Sequence, residues 1–182
     1  YSISKGLAGK KIPIKRLSDI FIELQDQGAN NINLVTPTHY VPQIIDALDK
    51  AKARGLKIPV VYNSSGYENV GTLKALEGYV DIYLPDFKYC DSEIAGRYSK
   101  CPDYFEFACA AIEEMVRQIP YPVFDDRGMM KKGVVVRHLM LPGYLQDSKR
   151  IIKYLHETYN DRIYISIMSQ YTPLEIVSAY PE

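Results

Sequence analysis

The sequence predicts an α/β fold, a partial TIM-like (β/α) barrel with about five parallel strands, and three observations support this. Segments with helical periodicity alternate with short apolar segments along almost the whole chain, as in folds built from repeated β/α units. The short segments are almost continuously apolar, which is typical of parallel strands covered on both faces. No glycine-rich phosphate loop follows the first of them, so a part-barrel is favoured over a nucleotide-binding doubly wound sheet.

The first elements are two helices with a strand between them. Residues 16–27 place apolar side chains on one helical face, and Gly28 then ends this helix. Residues 32–36 are a short apolar run and predict a strand. Residues 40–54 predict a second amphipathic helix, which Gly55 ends.

The alternation continues through the middle of the chain. The β-branched residues 58–62 predict a strand, residues 71–76 a short helix, and residues 80–84 another strand. Asp91 can cap a helix that runs towards residue 98. Residues 104–118 predict a longer helix.

The last third opens with an irregular or hairpin insertion at residues 121–133. The most apolar strand of the chain follows at residues 134–141, then a helix at 147–159 and a strand at 163–168. We assign all of these elements to one domain, residues 1–182, because a domain commonly contains roughly 100–200 residues.

Composition excludes several classes of function. Basic and acidic residues both number 22, so the net charge is zero, which argues against a nucleic-acid-binding surface. No apolar run reaches the roughly 18 residues of a membrane span, so no membrane partner is expected. Cys90, Cys101 and Cys109 have spacings that match no zinc or iron–sulfur motif. We expect reduced thiols in a cytoplasmic protein, and no metal site in this chain.

Polar or turn-forming residues follow every predicted parallel strand. In β/α barrels the chemistry is found at the carboxyl ends of the strands, so we expect these segments to line one mouth. The segments are residues 36–39, 63–66, 85–88, 141–143 and 169–171.

Three charged residues at this mouth are candidate binding groups. Asp86 and Lys88 are two positions apart and so point to one side of an extended chain. They could hold a polar or zwitterionic ligand, or form a structural ion pair. Arg137 lies in an apolar strand and must be paired or face a wet cavity. It could bind a ligand by meeting a carboxylate or stacking on a ring, or it could neutralise Asp86 across the barrel, and the sequence leaves both roles open.

Four other polar residues have simpler interpretations. Thr36 and Thr38 fit the N-cap positions of a helix. His39 and His138 have no second imidazole at metal-ligand spacing, so each is interpreted as a hydrogen-bonded structural residue.

Five segments, taken in order, match a known family. They are INLVTPTHYVPQIIDAL (32–48), VVYNSSGYE (60–68), VDIYLPDFKY (80–89), VVVRHLMLPG (134–143) and ISIMSQYTP (165–173). Together they resemble the radical S-adenosylmethionine (SAM) superfamily, and within it the proteins similar to pyruvate formate-lyase-activating enzyme. The resemblance covers nearly the whole chain and implies a part-barrel of β/α units.

The resemblance implies an oxidoreductase activity. In that superfamily SAM binds a 4Fe–4S cluster held by a C-x-x-x-C-x-x-C loop, and its reductive cleavage gives a 5′-deoxyadenosyl radical. In the activating enzymes this radical abstracts hydrogen from a glycine of a partner glycyl radical enzyme, and an electron donor is a second implied partner.

This sequence departs from the family at the cluster. It contains no C-x-x-x-C-x-x-C, and residues 1–4 resemble the stretch just after the last cluster cysteine. We therefore expect that the chain begins just downstream of the cluster loop, with the first strand missing. The chain is then either a truncated piece or a protein that has lost its cluster, and in either case we expect no catalytic residue, no cluster and no radical activity in these 182 residues alone.

The resemblance also implies a set of SAM-binding residues. The segment that meets the SAM amino group matches Thr36 and Thr38, although its usual glycines and acid are absent. Asp86 and Lys88 match an Asp-x-Lys motif at the methionyl and ribose portions, and Tyr171 stands where a histidine is usual. The full set is Thr36, Thr38, Asn63, Ser64, Asp86, Lys88, Arg137, Met168 and Tyr171.

Two other functions stay open. Asp86, Lys88 and Asp91 fit the D-x-K-x-x-D pattern of some decarboxylase barrels, which would make the chain a non-radical lyase. Those barrels also need a late glycine-rich phosphate loop, which residues 169–182 lack. The other alternative is a non-catalytic SAM-binding or scaffold domain.

The predicted strand at residues 32–36 has consequences for assembly. Without a strand before it, this strand would have an unpaired edge, and such edges invite pairing with another chain. We expect a homo-oligomer formed through this edge, unless residues 1–14 cover it.

Overall fold

The computed structural model describes residues 9–169 of the 182-residue chain and shows an α/β fold, which confirms the predicted class. The α-helices of this part are α1 (Ile14–Asp26), α2 (Val41–Lys52), α3 (Val70–Ala75), α4 (Ser92–Ser99), α5 (Tyr104–Gln118) and α6 (Leu145–Tyr159). Its strands are β1 (Ile32–Val35), β2 (Val60–Ser64), β3 (Ile82–Pro85), β4 (Val123–Phe124), β5 (Met130–Leu139) and β6 (Tyr164–Met168).

The sheet is mostly parallel. Strands β1, β2, β3, β5 and β6 are neighbours in that order and run parallel, as predicted. Strand β4 pairs antiparallel with the beginning of β5 and forms the hairpin expected at residues 121–133. Within residues 9–169, β1 pairs only with β2 and β6 only with β5, so the strands of this part do not close into a ring.

The six described helices pack on one face of the sheet. The buried apolar side chains form two clusters on this face. Their strand residues, such as Leu34, Tyr62 and Val136, point to the same side of the sheet, and each helix contributes residues to at least one cluster. The opposite face is buried at its centre, where Val61 and Ile82 lie. The expectation that both faces are covered is wrong at β1, where Val35 is 67% exposed.

Several strand boundaries differ from the predictions. Strand β2 was expected at residues 58–62 and occupies Val60–Ser64, while β5 begins four residues earlier than expected, at Met130. The reason is that backbone pairing decides where a strand ends. Asn63 and Ser64 are polar, yet they pair with β3, and residues before 134 pair with β4.

The described helices are short. None of the helices within residues 9–169 combines the length and the apolar composition needed to cross a lipid bilayer. The longest, α5 and α6, have 15 residues each, whereas a span takes about 20. Cys90, Cys101 and Cys109 lie in or beside α4 and α5 and are free thiols.

Candidate functional site

The carboxyl ends of β2, β3 and β5 bring four of the predicted site residues together. Arg137 Nη2 lies 2.7 Å from Asp86 Oδ1 and donates a hydrogen bond to Asn63 Oδ1, also at 2.7 Å. Lys88 Nζ lies 3.7 Å from Asp86 Oδ2. We call Asn63, Asp86, Lys88 and Arg137 the ion-pair cluster.

The ion-pair cluster carries an excess positive charge, because two cations share one carboxylate. Its charged side chains are partly exposed: Asp86 by 22%, Arg137 by 25% and Lys88 by 37%. Within residues 9–169, Arg137 Nε is buried and has no hydrogen-bond partner. A buried donor without a partner is rare in folded proteins.

Of the two roles left open for Arg137, the structure shows the pairing with Asp86. The two residues are bridge partners on neighbouring strands rather than opposite each other across a barrel. Asp86 and Lys88 also form the ion pair that their spacing allowed. A role for these side chains in ligand binding stays a prediction.

The backbone on either side of Asp86 is held by the sheet. The Asp86 N–H donates to Ser64 O at 2.9 Å, and the Phe87 N–H donates to Arg137 O at 2.8 Å. The chain leaving β3 therefore stays paired with both neighbouring strands beyond the end of the strand. This pairing fixes the direction in which the Asp86 side chain projects.

Tyr104 joins this segment to the loop after β2. Its side chain is 2% exposed, and its hydroxyl lies 2.9 Å from Ser65 O and 3.0 Å from Asp86 O. The same hydroxyl accepts a hydrogen bond from the Lys88 N–H at 3.1 Å, and burial raises the pKa of this phenol well above its usual range. Gly66, in the same loop, packs directly against the carbonyl of Asp86. A Cβ at this position would overlap the carbonyl oxygen, so there is no room for a side chain.

His138 and the start of α6 hold the same segment from the other side. His138 is 1% exposed; its Nδ1 lies 2.7 Å from Phe87 O, and its Nε2 lies 2.8 Å from Ser148 Oγ. Because a carbonyl only accepts, Nδ1 carries a proton and donates to Phe87 O. Asp147 accepts a hydrogen bond from the Cys90 N–H at 3.1 Å. The prediction that His138 is a hydrogen-bonded structural residue is confirmed.

Thr38 and Ser64 belong to a separate network around a buried acid. Thr38 donates to Glu68 Oε1 at 2.7 Å, and the Tyr62 hydroxyl donates to Glu68 Oε2 at 3.3 Å. Glu68 is 2% exposed, and burial raises the pKa of this carboxyl, a rise that the nearby Ser64 hydroxyl opposes. We call Thr38, Tyr62, Ser64 and Glu68 the buried carboxylate network.

The separation of Ser64 from the ion-pair cluster follows from strand geometry. Asn63 and Ser64 are consecutive in β2, and successive side chains of a strand point to opposite faces. Asn63 therefore reaches Arg137, whereas Ser64 reaches Glu68 on the helix-covered face. The expectation of one common mouth for both residues is wrong for Ser64.

The interpretation of Thr36 and Thr38 as helix caps is also wrong. The positions before the short helical turn at residues 38–40 and before α2 are occupied by Pro37 and Tyr40, and neither makes a side-chain cap hydrogen bond. Thr36 is exposed, with a φ of 52°, and its N–H donates to Asn63 O at 2.9 Å. A β-branched residue in this left-handed region is strained.

Of the remaining two predicted residues, the structure describes Met168. Met168 ends β6 and pairs in register with Leu139, two positions after Arg137 in β5. It therefore lies on the same face of the sheet as the ion-pair cluster. Tyr171 lies outside the described residues.

Sequence reasoning missed Glu68 and Tyr104. A single glutamate in the turn between a strand and a helix is ordinarily exposed, and nothing in VVYNSSGYE marks this one as buried. Tyr104 is one of 16 tyrosines, and its position at the first turn of α5 carries no distinguishing pattern. Both were detectable only once the loops were in place.

The cysteines do not fit an iron–sulfur ligand set. Among residues 9–169 no three His, Cys, Asp or Glu side chains are grouped so that they could hold a metal ion. Burial raises the pKa of the Cys90 and Cys109 thiols, and Cys101 Sγ donates to Ser99 O at 3.3 Å. Iron–sulfur ligands are thiolates, so these thiols are the wrong donor set.

Comparison with known proteins gives a relative but no function. No family model matches the chain. The chain is 28% identical over 157 residues to an uncharacterized protein of Methanocaldococcus jannaschii. The match covers 85% of this chain but 41% of that protein, so the chain spans less than half the length of this relative. The name of the relative states no activity.

Proposed function

We propose that the ion-pair cluster binds SAM, and that the chain is the SAM-binding portion of a radical SAM oxidoreductase similar to pyruvate formate-lyase-activating enzyme. The observation that carries the proposal is the position of Asp86 between Arg137 and Lys88, beside Asn63, after three neighbouring parallel strands. The five family-like segments support the same reading. A partial TIM-like barrel for the whole domain is part of this proposal.

The chemistry of the cluster suits the methionyl and ribose portions of SAM. The ammonium of Lys88 and the guanidinium of Arg137, both partly exposed, can meet a carboxylate, since charge-assisted hydrogen bonds are strong and specific. Asp86 can accept from an ammonium or a ribose hydroxyl, and the Asn63 amide can donate as well as accept. One ligand carboxylate would balance the excess positive charge of the cluster.

The radical step is not assigned to residues of this chain. The superfamily places SAM on a 4Fe–4S cluster, which supplies the electron for its cleavage, and the cysteines of the described residues do not fit as its ligands. The cluster, an electron donor, a glycyl radical enzyme as target and a cytoplasmic location all belong to the proposal through the resemblance. The role of the described residues is to bind and orient SAM.

Calorimetric titration of the purified chain with SAM tests this function. We expect saturable binding that Arg137→Gln weakens at least about tenfold, because one charged hydrogen-bonding partner is lost. Lys15 is exposed, so Lys15→Gln is the control and should leave the Kd unchanged. 5′-Methylthioadenosine, which lacks the amino-acid portion, should bind more weakly than SAM. Absence of SAM binding would contradict the proposal.

The contacts of Asp91 argue against the lyase alternative. Its Oδ1 accepts hydrogen bonds from the Glu93 and Ile94 N–H groups at the start of α4, so the predicted helix cap is confirmed. Its Oδ2 lies 3.3 Å from Arg150 Nη2. The third residue of the D-x-K-x-x-D pattern is thus engaged away from Asp86 and Lys88. Titration with a sugar phosphate tests this alternative.

A further inference from the structure

The proposed function makes no use of the most deeply buried acid near the site. Glu68 is 2% exposed and follows β2, yet its carboxylate reaches the loop between β1 and α2. No lysine or arginine pairs with it among the described residues, and its hydrogen-bond partners are the hydroxyls of Thr38 and Tyr62. Burying an acid without a cation is costly, so the presence of a buried glutamate at this position needs an explanation.

We infer that Glu68 is a positioning residue that holds the β1–α2 loop, residues 36–40, against the end of β2 and so shapes one side of the ligand site. The inference rests on the proposed function for the identity of the ligand. It concerns the loop that the resemblance matched to the amino group of SAM, where the family's usual glycines and acid are absent.

The loop is attached at two points, one to β2 and one to the segment that follows it. The Thr36 N–H donates to Asn63 O, and the Thr38 hydroxyl donates to Glu68. Asn63 is also the residue whose side chain accepts from Arg137. A shift of the loop is therefore transmitted to a member of the ion-pair cluster through the backbone of Asn63.

The conformation of the loop explains why a second attachment is needed. Thr36 has a φ of 52°, which a β-branched residue adopts only when its surroundings impose it. One attachment, at the Thr36 N–H, lies at the strained residue itself. The other, from Thr38 to Glu68, lies just beyond it and prevents the loop from relaxing.

The test combines two measurements on four variants. Amide hydrogen exchange of Thr36 and Tyr40 in the ligand-free chain reports on the loop, because both N–H groups are hydrogen-bonded at its two ends. Calorimetry with SAM reports on the site. The variants are Glu68→Ala, Glu68→Gln, Thr38→Val and the control Glu114→Gln, which alters a buried acid paired with Arg117 on α5.

We expect Glu68→Ala and Thr38→Val to accelerate exchange of both amides about tenfold, since each removes a charge-assisted hydrogen bond, and to weaken SAM binding. Glu68→Gln keeps an acceptor for Thr38 and should restore both readouts to within about threefold of the native chain. Glu114→Gln should change neither. This rescue by glutamine separates positioning from a general loss of stability.

Three results would overturn the inference. One is native-like exchange of Thr36 and Tyr40 in a folded Glu68→Ala chain; if that chain does not fold, native-like exchange in Thr38→Val decides instead. Another is a loosened loop with unchanged affinity in a chain that binds SAM. The third is an equal effect of Glu114→Gln. If the native chain does not bind SAM, the proposed function fails, and the exchange rates still decide whether Glu68 holds the loop.

Discussion

Arg137 and Asp86 are bridge partners on neighbouring parallel strands, and their side chains form an ion pair with 2.7 Å between Nη2 and Oδ1. The register of the sheet therefore sets the pair, and no flexible loop intervenes. About three quarters of each side chain is shielded from water. Removing one partner of this pair should therefore cost more than it does in an exposed ion pair, and less than in a fully buried one.

A double-mutant cycle measures this pair. We expect Arg137→Gln and Asp86→Asn each to lower the free energy of unfolding by about 1–2 kcal/mol, with a coupling energy of about 1 kcal/mol, because either change leaves the other charge half-buried. Urea denaturation of the four chains gives these values. The exposed pair of Arg16 and Glu23 is the control, with an expected coupling below about 0.5 kcal/mol. Equal coupling in the two pairs would show that shielding is unimportant here.

A substitution at Gly66 should disrupt the contact between the loop after β2 and the backbone of Asp86. Gly66 has a φ of +77°, and a Cβ there would overlap the carbonyl oxygen of Asp86. We expect Gly66→Ala to cost about 3 kcal/mol or more, since a backbone clash adds to the left-handed strain. Gly78→Ala, at a φ of +82° with open space around it, should cost only about 1–2 kcal/mol.

Thermal or urea unfolding of both alanine variants gives the comparison, and SAM titration adds a second readout. Gly66→Ala should also weaken SAM binding, because it displaces the segment that carries Asp86 and Lys88. Equal destabilisation at Gly66 and Gly78 would mean that the backbone of Asp86 moves aside without cost.

Much of the fold was predictable because it depends on local patterns. The bounds of α5 match the prediction at residues 104–118, and Asp91 caps α4, since periodicity and capping are properties of neighbouring residues. The strand ends were less predictable. Asn63 and Ser64 are polar and extend β2 only because β3 offers backbone partners, a fact that the local sequence does not contain.

The candidate site was likewise predictable only where neighbouring residues in the sequence carry the signal. Asp86, Lys88 and Arg137 were identifiable because charges beside or within apolar strands demand a partner. Glu68 was not identifiable, because its burial depends on two loops that meet only in three dimensions. The same applies to Thr38, whose hydroxyl faces Glu68 instead of a helix terminus.

The burial of Glu68 gives a testable pH dependence. Burial raises the pKa of this carboxyl above its ordinary value of 4.5. As the pH rises through 4.5, the unfolded chain therefore releases its proton before the folded chain does, and folding becomes less favourable. The other groups facing Glu68 are Tyr62 and, at longer range, His39 of the loop; Glu106 of α5 lines the same surface groove.

We expect the stability of Glu68→Gln relative to the native chain to increase as the pH rises from about 4 to the raised pKa of the glutamate, and to stay level above it. Urea denaturation at a series of pH values measures this difference. Glu114→Gln should instead lose stability relative to the native chain as the pH rises towards 4.5 and stay level above it, because pairing with Arg117 lowers the pKa of Glu114. If the stability difference between Glu68→Gln and the native chain did not change with pH, the raised pKa of Glu68 would be contradicted.

The free edge of β1 gives the last prediction, which concerns assembly. The N–H groups of Ile32 and Thr36 face β2, so those of Asn33 and Val35 between them face the opposite edge. No other strand pairs with that edge among residues 9–169, and Val35 is 67% exposed. We therefore expect the chain to self-associate through β1 as its concentration rises.

Val35→Pro removes one outward N–H while leaving the bonds to β2 intact, so it should reduce self-association. Val35→Thr keeps the N–H and the β-branched shape and is the matched control. Sedimentation velocity over a range of concentrations measures the average mass of each chain. Mass that rises equally in both variants would place the contact elsewhere on the surface. A native chain that stays monomeric over the whole concentration range would show that β1 does not recruit a second copy.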